Sequence, residues 1–138
     1  MVHALQEGWR VLAPAGQLID MRPQSARPTV EVVDERAVVV AGQVDESAGA
    51  SDYEAADRAM AAMVAQGRFA KQREKRFPFS YYWPTVEQMQ AYIEEAWSDF
   101  AVLPEQVVQR ARELTPGGAT VRYRVRETIL IADYRKQR

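Results

Sequence analysis

The chain has 138 residues, of which 47% are hydrophobic and 27% charged, and its formal net charge is −1. This composition is typical of one globular domain, so we predict a single domain over residues 1–138. There is no cysteine and one histidine, His3, which excludes disulfides, thiolate catalysis and Cys/His zinc sites, and we expect no metal. The apolar runs are too short to span a bilayer, so we expect a cytoplasmic protein without membrane contact.

The charges are unevenly distributed along the chain. Residues 1–67 carry five Lys/Arg and ten Asp/Glu, whereas residues 68–138 carry thirteen and nine. One interpretation is that acidic and basic surfaces meet, within a monomer or across a dimer. The other is that these are solvated faces, whose exposed pairs contribute little.

Four segments are predicted in the first part of the chain. Apolar residues recur every three or four positions over 3–12, which indicates a helix, and Pro14–Gly16 ends it. Leu18–Met21 is a short, mostly apolar strand. Val30–Ala41 has two β-branched runs and predicts a hairpin, and residues 42–50 have the composition of a loop.

The second part of the chain alternates helices with strands. Ser51 and Thr85 each begin a pattern typical of a helix N-cap, with Glu or Gln three residues later, and Pro104 opens a third helix. Between the first two helices, Phe69–Phe79 is a basic strand that we expect to become irregular afterwards.

The last strand is predicted over Ala119–Lys136. Apolar residues and arginines alternate over 121–126, which indicates one buried and one basic face, and 128–132 is apolar on both faces. We therefore place this strand inside the sheet. The order of elements predicts an α/β fold, with a mixed sheet and helices packed on it.

The segment from Leu12 to Asp20 resembles a motif, Leu-x-Pro-Gly-Gly-x-Leu-x-Asp, of the class I S-adenosylmethionine-dependent methyltransferases. In that family the motif joins a helix to the fifth strand. The match includes Pro14 and Gly16, and Ala15 replaces the first glycine. The rest of the chain is similar, in general pattern, to the C-terminal half of the family. The matching positions are Leu12, Pro14, Gly16, Leu18 and Asp20.

The resemblance implies a partial Rossmann-like fold without its cofactor-binding half. In the family a glycine-rich turn after the first strand holds the cofactor, but none of the seven glycines here forms a Gly-x-Gly motif. We therefore assign no catalytic residue and no cofactor to the isolated chain. S-adenosylmethionine is expected only if a partner chain completes the site.

A missing neighbouring strand would leave the strand 17–22 with an exposed edge. Such an edge invites pairing with another chain, and a second copy related by a two-fold axis is the simplest partner. We therefore expect a homodimer, with helix 4–12, strand 17–22 or the hairpin at the interface. The alternative is a monomer in which the hairpin shields the edge.

The candidate binding residues fall into three groups. Asp20 and Arg22 end a strand where α/β sheets place ligand groups, although they could simply cap it. Five aromatic residues could line a ligand pocket or form ordinary core. Three arginines of the last strand could bind an anion, face water or pair with the acidic half. The aromatic residues are Trp9, Tyr53, Tyr81, Tyr82 and Trp83, and the arginines are Arg122, Arg124 and Arg126.

Three functions follow as hypotheses. The first is a non-catalytic methyltransferase-like domain that self-associates and binds a small molecule. The second is a subunit of a split methyltransferase, and the third is an anion or nucleic-acid binding module. The pI of about 5.9 argues against a surface that follows a phosphate backbone.

Overall fold

The structure is a computed structural model that describes residues 2–24, 27–117 and 120–138. Over these residues it contains both helices and strands, which confirms a mixed α and β fold. No helix in these ranges is long and apolar enough to cross a membrane. The elements are α1 (Val2–Val11), β1 (Gln17–Pro23), β2 (Thr29–Val33), β3 (Val38–Gln43), α2 (Ala50–Ala65), β4 (Phe69–Trp83), α3 (Val86–Ala96), α4 (Glu105–Glu113) and β5 (Arg122–Lys136).

The five strands form one sheet in which β5 has the most neighbours. The order is β1-β5-β2-β3, and β4 also pairs with β5. Residues 129–135 of β5 pair with β1, and residues 122–126 pair with β2. The prediction that the last strand lies inside the sheet is therefore confirmed. Ala119, where we predicted that it begins, lies outside the described residues.

The sheet is antiparallel and does not show the mixed pairing that we predicted. β1 and β2 both run opposite to β5, and β2 runs opposite to β3. For β2 and β3 the reason is their connection, a tight turn in which the Asp34 carboxylate accepts the amides of Arg36 and Ala37 at 2.7 Å. A parallel pair would need a long crossover. The predicted hairpin is confirmed.

The described residues divide into two compact units. The first unit takes its residues from 1–24, 51–77 and 129–138, and the second takes them from 25–50 and 78–128. The strands β4 and β5 contribute one part of their length to each unit.

The core of the first unit lies between its helices and one face of β1 and β5. Met63 and Phe69 are its largest buried side chains, and the apolar stripe of α1 packs against them. This stripe confirms the helical spacing predicted for 3–12. The core consists of Met60, Met63, Phe69, Ala132 and Tyr134, with Leu5, Trp9, Leu12 and Leu18 partly buried.

The core of the second unit lies between α3, α4 and the sheet. Alternate residues of β2 and β5 face the helices, as strand geometry requires. The Thr85 hydroxyl accepts the Gln88 amide at 3.1 Å, which confirms the predicted cap of α3. The fully buried members of this core include Val30, Val44, Met89, Ile93, Val108, Ala111 and Val125.

Two local predictions were wrong. β4 continues to Trp83 instead of becoming irregular after Phe79, because its aromatic residues pack on neighbours that the sequence does not reveal. Helix α2 begins at Ala50, so Ser51 lies inside it and is not its N-cap.

Candidate functional site

In the first unit, Arg22 is the centre of a charged network at the end of β1. Its Nε donates to both carboxylate oxygens of Asp20 at 3.1 Å, and a terminal nitrogen donates to Asp57 at 2.6 Å. The other terminal nitrogen donates to the carbonyl oxygen of Tyr53 at 3.4 Å. The Arg22 side chain is only 16% exposed. The network therefore fixes β1 to α2.

A small cavity of about 290 Å³ lies beside this network. Its walls are mostly apolar, while Asp20 and Arg22 supply polar groups. A concave apolar site with a few polar groups is typical of small-molecule pockets, although this volume is at the lower limit of their range. Asp20 and Arg22, both predicted as ligand residues, thus border a cavity. The lining residues are Leu5, Leu18, Ile19, Asp20, Met21, Arg22, Ala56 and Met60.

Trp9 lies in the first unit with two cations over its ring. The guanidinium carbon of Arg68 is 4.9 Å from a ring centroid, and Nζ of Lys136 is 4.6 Å from one. Lys136 also donates to the carbonyl oxygen of Leu12 at 2.6 Å. Tyr53 lies in the same unit and is half-buried. Trp9 therefore stabilises two cations of its own chain.

In the second unit, Glu46 and Glu127 are two buried carboxyl groups that act on each other. They are 8% and 7% exposed. Burial, and then the charge of Glu127, raise the pKa of Glu46 to about 7. Burial also raises the pKa of Glu127, and a hydrogen bond from Tyr81 partly opposes this rise. Two such groups resist simultaneous ionisation, which favours a state in which only one of them is charged.

Tyr81 connects these carboxyl groups to a cluster of aromatic rings. Burial and the neighbouring Glu127 raise the pKa of Tyr81 to about 12, so its hydroxyl remains a donor. Four rings contact one another in a closed cycle, with centroid distances of 5.1 to 6.1 Å. Trp83, a predicted pocket residue, thus lies beside Tyr81. The four rings are Tyr81, Trp83, Tyr92 and Trp97.

Tyr82 lies with the arginine row, which we define as Arg122, Arg124 and Arg126. The Arg122 guanidinium is 5.0 Å from the Tyr82 ring, and Arg124 donates to its hydroxyl at 3.3 Å. This hydrogen bond lowers the pKa of Tyr82. Arg124 also forms an ion pair with the buried Glu31. Arg124 is therefore held in place, whereas Arg122 and Arg126 are exposed.

The buried acidic pair was missed by the sequence analysis. Glu46 lies in the predicted loop 42–50, and Glu127 is an isolated carboxylate in a strand. They are 81 positions apart in the sequence, and no local pattern connects them. Within residues 2–24, 27–117 and 120–138, no group of three or more His, Asp or Glu side chains could hold a metal ion.

The described residues thus combine helices with an antiparallel sheet, two small cores and a buried acidic pair. No protein-family model, curated protein or solved structure matches the chain.

Proposed function

We propose that this chain is a non-catalytic, methyltransferase-like domain that self-associates and binds a small molecule. The observation that carries self-association is the position of β1. In the described sheet β1 is an edge strand, and β5 is its one strand neighbour. Ile19 and Met21 on this strand are 54% and 65% exposed. An edge with free backbone groups beside exposed apolar side chains favours pairing with another chain.

A second copy is the partner that fits this edge most simply. Two β1 strands related by a two-fold axis can pair antiparallel, and each contributes the same donors and acceptors. Ile19 and Met21 lie on the face of β1 opposite to Leu18, which packs in the core. Pairing would therefore place side chains of the second copy beside them, without disturbing the core contacts of Leu18.

Light scattering during size-exclusion chromatography tests this proposal. We expect a dimer at micromolar concentration, and a monomer when both exposed residues are replaced, as Ile19→Lys with Met21→Lys. Val64→Lys is the matched control, because Val64 is an exposed apolar residue of α2 in the same unit. A monomeric wild type would contradict self-association and would favour the split methyltransferase, in which another polypeptide covers the edge.

The cavity beside Asp20 and Arg22 supports binding of a small molecule. Calorimetry with S-adenosylmethionine separates a binding domain from a residual enzyme. We expect the isolated chain not to bind this cofactor, because no Gly-x-Gly turn is available to approach it closely. Micromolar binding would contradict the non-catalytic proposal.

Anion binding at the arginine row is a second candidate function. The contacts of Arg124 with Glu31 and Tyr82 favour this function. They hold the guanidinium in place, so it loses little conformational freedom when an anion binds. A gel-shift titration with a single-stranded oligonucleotide at several salt concentrations tests it. We expect weak binding that decreases with salt and is lost in Arg122→Gln with Arg126→Gln. Equal binding by this variant would contradict a role for the row.

A further inference from the structure

A larger cavity of about 690 Å³ lies in the second unit, where the end of β3 and the segment after it face the start of α4. Its volume is well within the range of small-molecule sites. None of its residues belongs to the network of Arg22 or to the arginine row. The lining residues are Arg27, Ala41, Gly42, Gln43, Val44, Asp45, Ser47, Pro104, Gln106, Val107 and Arg110.

The charged residues of this cavity are two arginines and one aspartate. The Asp45 carboxylate accepts the Ser47 amide at 2.9 Å, and its pKa is lowered by hydrogen bonds from the amide and hydroxyl of Ser47 and by the charge of Arg27. Arg110 contacts Glu113 at 3.4 Å in an exposed pair, which contributes little and yields easily to a better partner. The lining residues taken alone therefore carry one net positive charge, and Glu113 lies outside the lining next to Arg110.

We propose that this cavity binds the phosphate group of a small molecule, with Arg27 and Arg110 as its ligands. A guanidinium presents paired N–H donors that match two phosphate oxygens, and such charge-assisted bonds are stronger than neutral ones. Gln43 and Gln106 add amide groups suited to hydroxyl groups of the same molecule.

The surrounding backbone is compatible with an anion. Helix α4 begins at this wall with Pro104 as its N-cap, which forms no side-chain hydrogen bond to the helix. The positive end of the helix therefore lies at this wall, although Glu105 in the first turn offsets part of its potential. Apolar contacts from Ala41 and Val107 are available to the rest of the ligand.

Calorimetric titration with inorganic phosphate, at ionic strength held constant with chloride, tests the site. We expect saturable binding, weakened about tenfold or more by Arg27→Gln and by Arg110→Gln, since each removes a charge-assisted contact. Arg112→Gln is the matched control, because Arg112 lies on the same helix and pairs with Glu87 and Glu105 instead. We expect it to bind phosphate like the wild type.

Three results would overturn the proposal. The first is no saturable binding of phosphate by the wild type, and the second is equal weakening in Arg112→Gln. The third is unchanged binding in Gln106→Glu, which places a negative charge at the wall of the cavity and should abolish phosphate binding. Arg27 and Arg110 are exposed, so an unchanged thermal midpoint in each variant shows that loss of binding is not loss of fold.

Discussion

Glu46 and Glu127 show how folding changes the chemistry of a single residue type. Exposed glutamates of this chain form surface pairs such as Glu54 with Arg58, whereas these two carboxyls are removed from water. Ionising a buried carboxyl costs free energy, and a second negative charge nearby increases the cost. The folded state therefore holds a proton that the unfolded chain releases at lower pH.

This difference in proton binding predicts a pH-dependent stability. Folding raises the pKa of Glu46 from 4.5 to about 7, so between these values the folded state binds more protons than the unfolded state. The free energy of unfolding contributed by Glu46 is fully present below about pH 4.5 and is lost as the pH rises to about 7. Glu46→Gln, which cannot ionise, should gain stability relative to wild type over this range, by at most about 3 kcal/mol.

Chemical denaturation of both proteins between about pH 5 and pH 8 measures this difference. Glu127→Gln serves as a second variant. It removes the neighbouring charge, so it should lower the pKa of Glu46. In this variant the fall in the free energy of unfolding with pH should therefore end at a lower pH than in the wild type. A stability difference between wild type and Glu46→Gln that does not change with pH would contradict the burial argument.

At the scale of elements, the junction of α1 and β1 contains a strained residue. Ala15 has a φ of 60°, in the left-handed region that favours glycine. The next residue, Gly16, allows a close approach, because an added Cβ would lie 2.8 Å from the carbonyl oxygen of Ala13.

We predict that Ala15→Gly stabilises the protein by about 1 kcal/mol, because it removes the cost of a left-handed alanine. Gly67→Ala is the reciprocal control. Gly67 has a φ of 69°, and an added Cβ would meet no atom within 4 Å, so its effect should come from the backbone alone, with similar size and opposite sign. Urea denaturation checks both variants. Destabilisation by Ala15→Gly would contradict the inference that the left-handed backbone of Ala15 costs stability.

The contact of β3 with α4 gives a second prediction at this scale. A Cβ on Gly42 would lie 2.6 Å from a methyl carbon of Val107, which is buried and has few allowed rotamers because it is β-branched. Gly42→Ala should therefore cost about 1–3 kcal/mol of stability. In a Val107→Ala background the same change should cost less, because the clashing methyl groups are absent. Additive effects in a double-mutant cycle would show that the two residues do not meet.

The same elements show what sequence reasoning can establish here. The helix α1, the Asp34 hairpin and the Thr85 cap were predictable because each depends on residues a few positions apart. The antiparallel pairing of β1 with β5 joins Leu18 to Tyr134, and the acidic pair joins Glu46 to Glu127. Such contacts depend on chain topology, which no local period encodes, so the candidate site was the part least accessible to prediction.

At the scale of the whole molecule, each compact unit exposes apolar residues on a strand at one end of the strand order. The first unit exposes Ile19 and Met21 of β1, and the second exposes Val38 to Val40 of β3 and also carries the arginine row and the larger cavity. We therefore propose that self-association through β1 in the first unit and phosphate binding in the second unit are independent of each other. Variants in one unit should then leave the function of the other intact, and this can be measured by combining light scattering with phosphate titration on each variant.

Self-association also predicts that thermal stability depends on protein concentration. A dimer of folded chains is favoured by mass action, whereas unfolded chains remain separate. A tenfold increase in concentration should stabilise the folded dimer by about 1.4 kcal/mol per mole of dimer, which raises the unfolding midpoint by a few degrees. Ile19→Lys with Met21→Lys should abolish this dependence, and Val64→Lys should keep it. A wild-type midpoint independent of concentration over a hundredfold range, measured by scanning calorimetry, would show that the edge of β1 remains unpaired in solution.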